Sequence, residues 1–276
     1  MISNIKLFFL KRFERLGYKV SKQTDFDTLV DSSRLSNNYR LLIEEYRSKL
    51  NGVESLVDFN RDLGFLDFLF EHKNSSTSQI SQDLMVLYVL NKKKNGFFVE
   101  FGATDGKGKS NTYILEKEFG WTGILCEPSK KWHTKLSSNR NCKIDHRCVW
   151  SASKEDLLFC DTKNAEFSSI NQFVNFDIHK LDRVNSYYVQ SVSLNDLLAE
   201  HQAPNYIDYL SVDTEGSEYD ILKVVDFDRY SFGVISVEHN FTPNRELIAS
   251  LLISKGYKNV YSTYSQFDDW YVLDRV

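Results

Sequence analysis

A chain of 276 residues that is 42% hydrophobic and 14% aromatic can bury one large core, or a core with a small N-terminal subdomain. A formal net charge of −4 removes the overall electrostatic case for a nucleic-acid partner, which draws on a clustered basic excess. No run of about 18 apolar residues predicts a membrane span, three prolines argue against disordered linkers, and four cysteines without a C-x-x-C pair fit reduced thiols in a cytoplasmic protein.

The chain opens with "MISNIKLFFLKRFERLGYKV". Charges at Lys11, Arg12, Glu14 and Arg15 interrupt the apolar run Leu7 to Leu10 too early for a signal peptide, and no small-residue cleavage site follows, so the segment is expected to be retained. Ile5, Phe8, Phe9, Phe13 and Leu16 recur at helical spacing opposite Lys6, Lys11, Arg12 and Arg15, which predicts a short basic amphipathic helix. Two readings of it stay open: packing on its own domain or in a homo-oligomer, and contact with a membrane surface that would make the protein peripheral. "NNYRLLIEEYRSKL" and "SSTSQISQDLMVLYVLNKK" also read as helices, so residues 1–94 form a predicted N-terminal helical region.

From residue 95 to 276 the texture changes. "FFVEF" reads as a buried strand, "SNTYILEKEF" as a helix, "TGILCE" as a strand, "SKKWHTKLSS" as a helix and "CKIDHRCVW" as a third strand region. "YIDYLSVDTEG" and "FGVISVEHN" carry two further buried strands, followed by the helices "SEYDILKVV" and "NRELIASLLISKG". The tail "NVYSTYSQFDDWYVLDRV" has two aromatic-rich segments suited to an antiparallel hairpin. This order predicts an α/β fold: an open, mostly parallel Rossmann-like sheet with an antiparallel C-terminal strand and an N-terminal helical extension. In such sheets ligands gather beyond the carboxyl ends of the strands.

After the Phe97 to Phe101 strand, Gly102 and Gly106 permit a sharp turn and a close backbone approach to a ligand. Glu127 closes the next strand, where an acid can accept hydrogen bonds from both hydroxyls of a ribose. The intervening G-A-T-D-G-K-G departs from the G-x-G-x-x-G of dinucleotide sites and puts Asp105 where a pyrophosphate would sit. A nucleoside without phosphate and with positive charge satisfies both features. S-adenosylmethionine has that chemistry: a ribose for Glu127, and an amino group and a sulfonium for Glu100 and Asp105.

"FFVEFGATDGKGKSNTYILEKEFGWTGILCEP", "IDYLSVDTEGSEYDIL" and "VISVEHN" together resemble the FkbM family of S-adenosylmethionine-dependent methyltransferases, over about Gly96 to Val276. The resemblance implies a class I methyltransferase fold and methyl transfer to a hydroxyl of a sugar, glycan or polyketide. It places Glu100, Gly102, Ala103, Asp105 and Gly106 around the methionine end of the cofactor and Glu127 on its ribose. Pro128 and Ser129 would border the adenine, as would Trp150 and Ser151 after the third strand, although Trp150 reads equally as core. Ser110 and Asn111 would open the first helix and hold the cofactor carboxylate, or "KSNT" is a simple helix cap.

A methylated hydroxyl must lose its proton, and the base belongs near the ends of the fourth and fifth strands. Asp213, Glu215 and His239 are the candidates, with His239 reading equally as a structural histidine. Asp213, Glu215, Glu218 and Glu238 also form an oxygen-ligand group suited to Mg²⁺, or Glu218 simply favours the first turn of its helix. The aromatic stretch "FSSINQFVNFDIHKLDRVNSYYVQ" suggests an insertion that selects a saccharide or glycan-like acceptor. Two other classes remain: a catalytically silent cofactor-binding scaffold, and a nucleotide-sugar NAD enzyme, which would need a G-x-G-x-x-G and a suitably placed Tyr-x-x-x-Lys pair.

Overall fold

The computed structural model describes residues 53–162, 168–170, 183–262 and 264–274. The predicted amphipathic N-terminal helix and the helix over Asn37 to Leu50 lie outside them, as does most of the aromatic stretch before residue 183. The chain divides into two compact units, residues 1–70 and 71–276. In the first, the described element is the start of a helix, α1 (Val53–His72).

The second unit is built on a seven-stranded sheet. Its strands in chain order are β1 (Phe97–Phe101), β2 (Thr122–Cys126), β3 (Lys143–Asp145), β8 (Tyr206–Val212), β9 (Ser231–Glu238), β10 (Tyr257–Val260) and β11 (Asp268–Leu273). Between β3 and β8 the chain forms β4 (Cys148–Trp150), β5 (Asp156–Thr162), β6 (Ser169–Ile170) and β7 (Arg183–Ser193). The sheet order is β10-β11-β9-β8-β1-β2-β3. β3, β2, β1, β8 and β9 are mutually parallel, whereas β11 runs antiparallel to both β9 and β10. That is the class I methyltransferase arrangement, in which one late strand inserts antiparallel into a doubly wound sheet.

The inner strands β1, β8 and β9 are buried on both faces, which is why they read as mostly apolar runs. Val99, Phe101, Ile124, Leu210, Val212, Ile235 and Val237 share one core with Leu197 and Leu198 of α5 (Leu194–Glu200), Ile221 and Leu222 of α6 (Glu218–Leu222), and Ile248 and Leu252 of α7 (Asn244–Ser254). The alternate residues Phe98, Leu125, Tyr209, Val234 and Trp270 are equally buried, as are Leu84 to Leu87 of α2 (Gln82–Val89) and Ile114 and Leu115 of α3 (Tyr113–Phe119). α4 (His133–Asn139) joins β2 to β3 and buries Leu136.

The segment before β1 is tied into the second unit: Gln82 Nε2 donates to Asp268 Oδ2 at 2.9 Å, Thr77 Oγ1 donates to the Ser110 carbonyl at 3.0 Å, and Ser78 bridges to Lys109. The strand region after α4 departs from the expectations of the sequence. The "CKIDHRCVW" strand is two strands in two sheets. Asp145 accepts from Arg147 N at 2.9 Å, Arg147 Nε at 3.0 Å and His201 Nε2 at 2.9 Å, which turns the chain, so β4 leaves to pair with β7. A second sheet of order β4-β7-β5-β6, absent from the sequence reading, results.

Candidate active site

The carboxyl ends of β1, β2, β8 and β9 surround a cavity of about 510 Å³. The first wall is the loop after β1. Gly102 sits at φ +67°, and a Cβ there would meet the Asp213 carbonyl oxygen at 2.3 Å. Gly106, at φ +74°, would drive a Cβ into Leu136 Cδ1 at 2.5 Å and Arg140 Cγ at 2.7 Å. Both glycines are therefore demanded by the protein's own close packing, as well as by turn geometry.

Glu100, on β1, is buried and faces the chain that follows it. Asn111 N donates to its Oε1 at 2.8 Å, Ser110 Oγ donates to its Oε2 at 3.1 Å, and the Thr112 hydroxyl donates to the same oxygen. The three donors come from one run, Ser110 to Thr112, so α3 starts at Tyr113, later than expected, with its entry pinned by a β1 side chain. Thr112 occupies the N-cap position without a side-chain cap bond, because its hydroxyl is spent on Glu100. Arg140 completes the knot from behind. Its Nε pairs with Glu116 Oε2 at 2.7 Å, and its Nη1 reaches the Gly106 carbonyl and Ser110 Oγ, both at 3.1 Å.

Asp105 turns into its own loop as well, its Oδ1 accepting from Lys107 N at 2.9 Å and Gly108 N at 2.8 Å. Turn chemistry in D-G-K-G was the legible signal for that. Neither Glu100 nor Asp105 lines the cavity, and Ala103, Gly106, Ser129, Trp150 and Ser151 do not line it either. Gly102, Ser110, Asn111, Glu127, Pro128, Asp213, Glu215 and His239 do.

Glu127 closes β2 with its carboxylate buried. Thr104 N donates to Oε2 at 2.8 Å and Ser129 N donates to Oε1 at 2.7 Å. Burial, opposed by these two bonds and aided by the charges of Asp161 and Asp213, pushes its pKa up to about 7. Each carboxylate oxygen can accept more than one hydrogen bond, so acceptor capacity remains for two further hydroxyls. Asn111 has a second open acceptor: Nδ2 donates to Ser211 Oγ at 2.9 Å, while the buried Oδ1 has no hydrogen-bond partner. A ribose diol at Glu127 and a cationic amino group at Asn111 Oδ1 are the ligand groups these atoms lack, which fits S-adenosylmethionine.

The second wall joins β8 to β9. Asp213, Glu215 and Glu238 each present a carboxylate oxygen within 4.8 Å of the others. Glu218 stands apart from them in function, since its Oε1 accepts from Thr214 N at 3.0 Å and Gly216 N at 2.9 Å and so shapes the turn carrying Glu215. Burial raises Asp213 to about 7, with the Glu218 charge adding and a hydrogen bond with Glu238 opposing. Burial, then the charges of Asp213, Glu215 and Glu218, raise Glu238 well above the ordinary carboxylate range. The two carboxylates titrate as a pair, both held above the ordinary carboxylate range chiefly by burial.

His239 is buried, and its Nδ1 accepts the Phe241 N–H at 3.0 Å. The proton of the neutral ring therefore belongs on Nε2, which lies 3.7 Å from Asp269 Oδ1. Burial lowers its pKa. A base needs a free lone pair towards the acceptor, and the accepting nitrogen of this ring is already engaged.

Sequence reasoning did not single out Thr104, Lys109, Phe241, Thr242, Gln79 or Gln82, all of which line the cavity. The last two come from the segment before β1, where nothing in their own pattern marks a site. Phe159, Ser168 and Ile170 bring the second sheet to the same cavity.

A family model described as "Methyltransferase FkbM domain" matches residues 100–273. Among solved structures, the chain is similar to the FkbM methyltransferase of Methylobacillus flagellatus KT at 11% identity and a TM-score of 0.45, over 86% of this chain and 59% of that one. It is also similar to precorrin-6y C5,15-methyltransferase of Geobacter metallireducens GS-15 (10% identity, 64% and 71% covered, TM-score 0.37) and to a SAM-dependent methyltransferase of Aquifex aeolicus (8% identity, 70% and 89% covered, TM-score 0.34). No curated protein matches the sequence. The matched span begins at Glu100 and ends at Leu273, and so takes in the carboxyl end of every strand that frames the cavity; the chain belongs to the FkbM family of S-adenosylmethionine-dependent methyltransferases.

Proposed function

We propose that the protein methylates a hydroxyl group of a saccharide or glycan-like acceptor. The observation that supports this most directly is the wall formed by Asp213, Glu215 and Glu238, three carboxylates in the cavity that also contains Glu127. Carboxylates accept hydrogen bonds and donate none when ionised, so such a wall suits a ligand rich in hydroxyl donors.

S-adenosylmethionine, when bound, supplies an electrophilic methyl on a positively charged sulfur. Glu127 would hold its ribose hydroxyls, Asn111 Oδ1 its amino group, and the Gly102 to Thr104 backbone would border it. Asp213 would accept the proton of the acceptor hydroxyl on a carboxylate oxygen. Glu238, protonated, holds Asp213 in place and lowers the cost of a second nearby negative charge. Glu215 accepts from a neighbouring hydroxyl and fixes which oxygen faces the methyl. Charge bookkeeping agrees, since the cavity is acidic and the donor cationic.

The same three carboxylates could instead bind the Mg²⁺ that the sequence left open as an alternative, because their oxygens are mutually close enough for one ion. Proton acceptance by Asp213 is the preferred reading because it draws on the chain's own side chains alone, and metal dependence of turnover distinguishes the two. The test is methyl transfer from labelled S-adenosylmethionine to a panel of methyl glycosides. Alkali-stable label in a glycoside supports the proposal. Transfer only to amines, thiols or non-saccharide hydroxyls contradicts it.

A further inference from the structure

The turn after β9 carries backbone strain that methyl transfer at Asp213 does not explain. His239 to Thr242 form a four-residue turn, closed by Thr242 N donating to the His239 carbonyl at 2.8 Å. Its two central residues, Asn240 and Phe241, have φ of 44° and 56°. Two successive positive φ values mark type I′ geometry, which suits asparagine first and wants glycine second. A phenylalanine in the second place is costly, because its Cβ crowds the backbone.

Surrounding structure holds the turn in this form. His239 N and Asn240 N both donate to the Phe267 carbonyl, at 2.8 and 3.2 Å, and Phe241 N donates to His239 Nδ1. The His239 ring meets the Phe241 ring edge-on, with centroids 5.3 Å apart. His239 is 3% exposed, whereas Phe241 is 70% exposed and lines the cavity. Folding gains little from a large apolar side chain left in water, and glycine would relieve the turn. Strain retained without a folding benefit points to a role in binding.

We infer that Phe241 is the acceptor platform: its ring takes the apolar face of a pyranose whose hydroxyls reach Asp213, Glu215 and Glu238. The inference rests on the saccharide reading above and adds the residue that selects for it. An aromatic face beside hydroxyl acceptors matches both sides of a sugar ring. A purely apolar acceptor would leave the three carboxylates desolvated without donors, a costly arrangement. In this role His239 is a positioning residue, which presents Phe241 and takes no proton.

The experiment compares the parent with Phe241→Gly and Phe241→Trp in three readouts: unfolding midpoint, affinity for S-adenosylhomocysteine, and KM for a methyl glycoside from the panel. Phe241→Gly is expected to keep or raise the midpoint, leave cofactor-product affinity within about twofold, and raise KM at least about tenfold. Phe241→Trp, which keeps the aromatic face, stays within about threefold of the parent. An unchanged KM in Phe241→Gly overturns the inference. So does a lowered midpoint with equal loss of S-adenosylhomocysteine affinity, which would make the residue structural. Should the parent methylate only a non-saccharide hydroxyl, the acceptor class falls, and the KM of Phe241→Gly for that hydroxyl decides the platform separately. A parent inert on every acceptor would overturn both.

Discussion

Thr104 donates its backbone N–H to Glu127 at 2.8 Å, so the turn after β1 and the end of β2 are fastened by one buried carboxylate. Thr104 has φ +46°, an unusual place for a β-branched residue, and the bond to Glu127 helps to hold it there. The carboxylate proposed to hold the ribose is thus also the anchor of the loop beside it.

Glu127→Ala and Glu127→Gln should separate the two roles. Alanine leaves Thr104 N and Ser129 N without their acceptor and should cost about 1–3 kcal/mol of stability per unsatisfied group. Glutamine keeps one acceptor oxygen, so its unfolding midpoint should lie closer to the parent. Both should abolish the stabilisation that S-adenosylhomocysteine confers in thermal unfolding. A full ligand-induced shift in Glu127→Ala would remove the ribose assignment.

Burial holds Glu127, Asp213 and Asp268 up at about 7, against about 4 for such groups in an unfolded chain. Between those values the folded chain keeps protons that the unfolded chain has lost. Their contribution to stability is complete below about 4 and disappears as pH rises through about 7. Glu116 and Asp145 act in the opposite sense: burial would raise them, but hydrogen bonds from Lys117, Asn141 N and Arg140 to the first, and from Arg147 and His201 to the second, bring each down to about 2. Their contribution is present above about 4 and is lost as pH falls through about 2. The ligand-free protein should therefore be more stable at pH 5 than at pH 8, by at least about 2 kcal/mol in urea unfolding. A rise in stability from pH 5 to pH 8 would contradict the burial of these acids.

The parallel strands were legible because residues buried on both faces form mostly apolar runs, broken only by Glu100 in Phe97 to Phe101 and by Asp208 and Ser211 in Tyr206 to Val212. The place of Glu127 beside the cavity was legible because its position at a strand end fixes its direction. Glu100 was not: it reads like a cofactor ligand, and only the fold shows Ser110, Asn111 and Thr112 claiming its oxygens. The second sheet escaped because β4 is three residues long and its partner β7 lies more than thirty positions away. Phe241 escaped for a backbone reason, since a positive φ at phenylalanine has no signature in the one-dimensional pattern.

Asp213→Asn should lower turnover by about 10²- to 10⁴-fold, the range for loss of a general base, with S-adenosylhomocysteine affinity unchanged within about threefold. In the parent, turnover should rise with pH and level off above about 7, where Asp213 is ionised. Equal turnover in Asp213→Asn would strike Asp213 from the mechanism.

Turnover should survive EDTA. Loss of activity that Mg²⁺ restores would reassign Asp213, Glu215 and Glu238 from proton acceptance to cation binding.

Arg140→Met removes the cation enclosed by Glu116, Glu100 and the Gly106 carbonyl, with its side chain wholly buried. Breaking a buried pair from one side typically costs about 3–5 kcal/mol. The unfolding midpoint should fall by that order, and S-adenosylhomocysteine should bind more weakly because the Ser110 to Thr112 entry loses its support. A stable Arg140→Met protein with parental affinity would show that Glu100 alone suffices to hold the loop.

The central claim is a phosphate-free nucleoside site at Glu127 and Asn111, and calorimetric titration of the ligand-free protein with S-adenosylhomocysteine, alongside NAD, tests it most directly. One equivalent of S-adenosylhomocysteine bound at micromolar affinity, with no heat from NAD, is the predicted result. Binding of NAD alone, or of neither ligand, would contradict it.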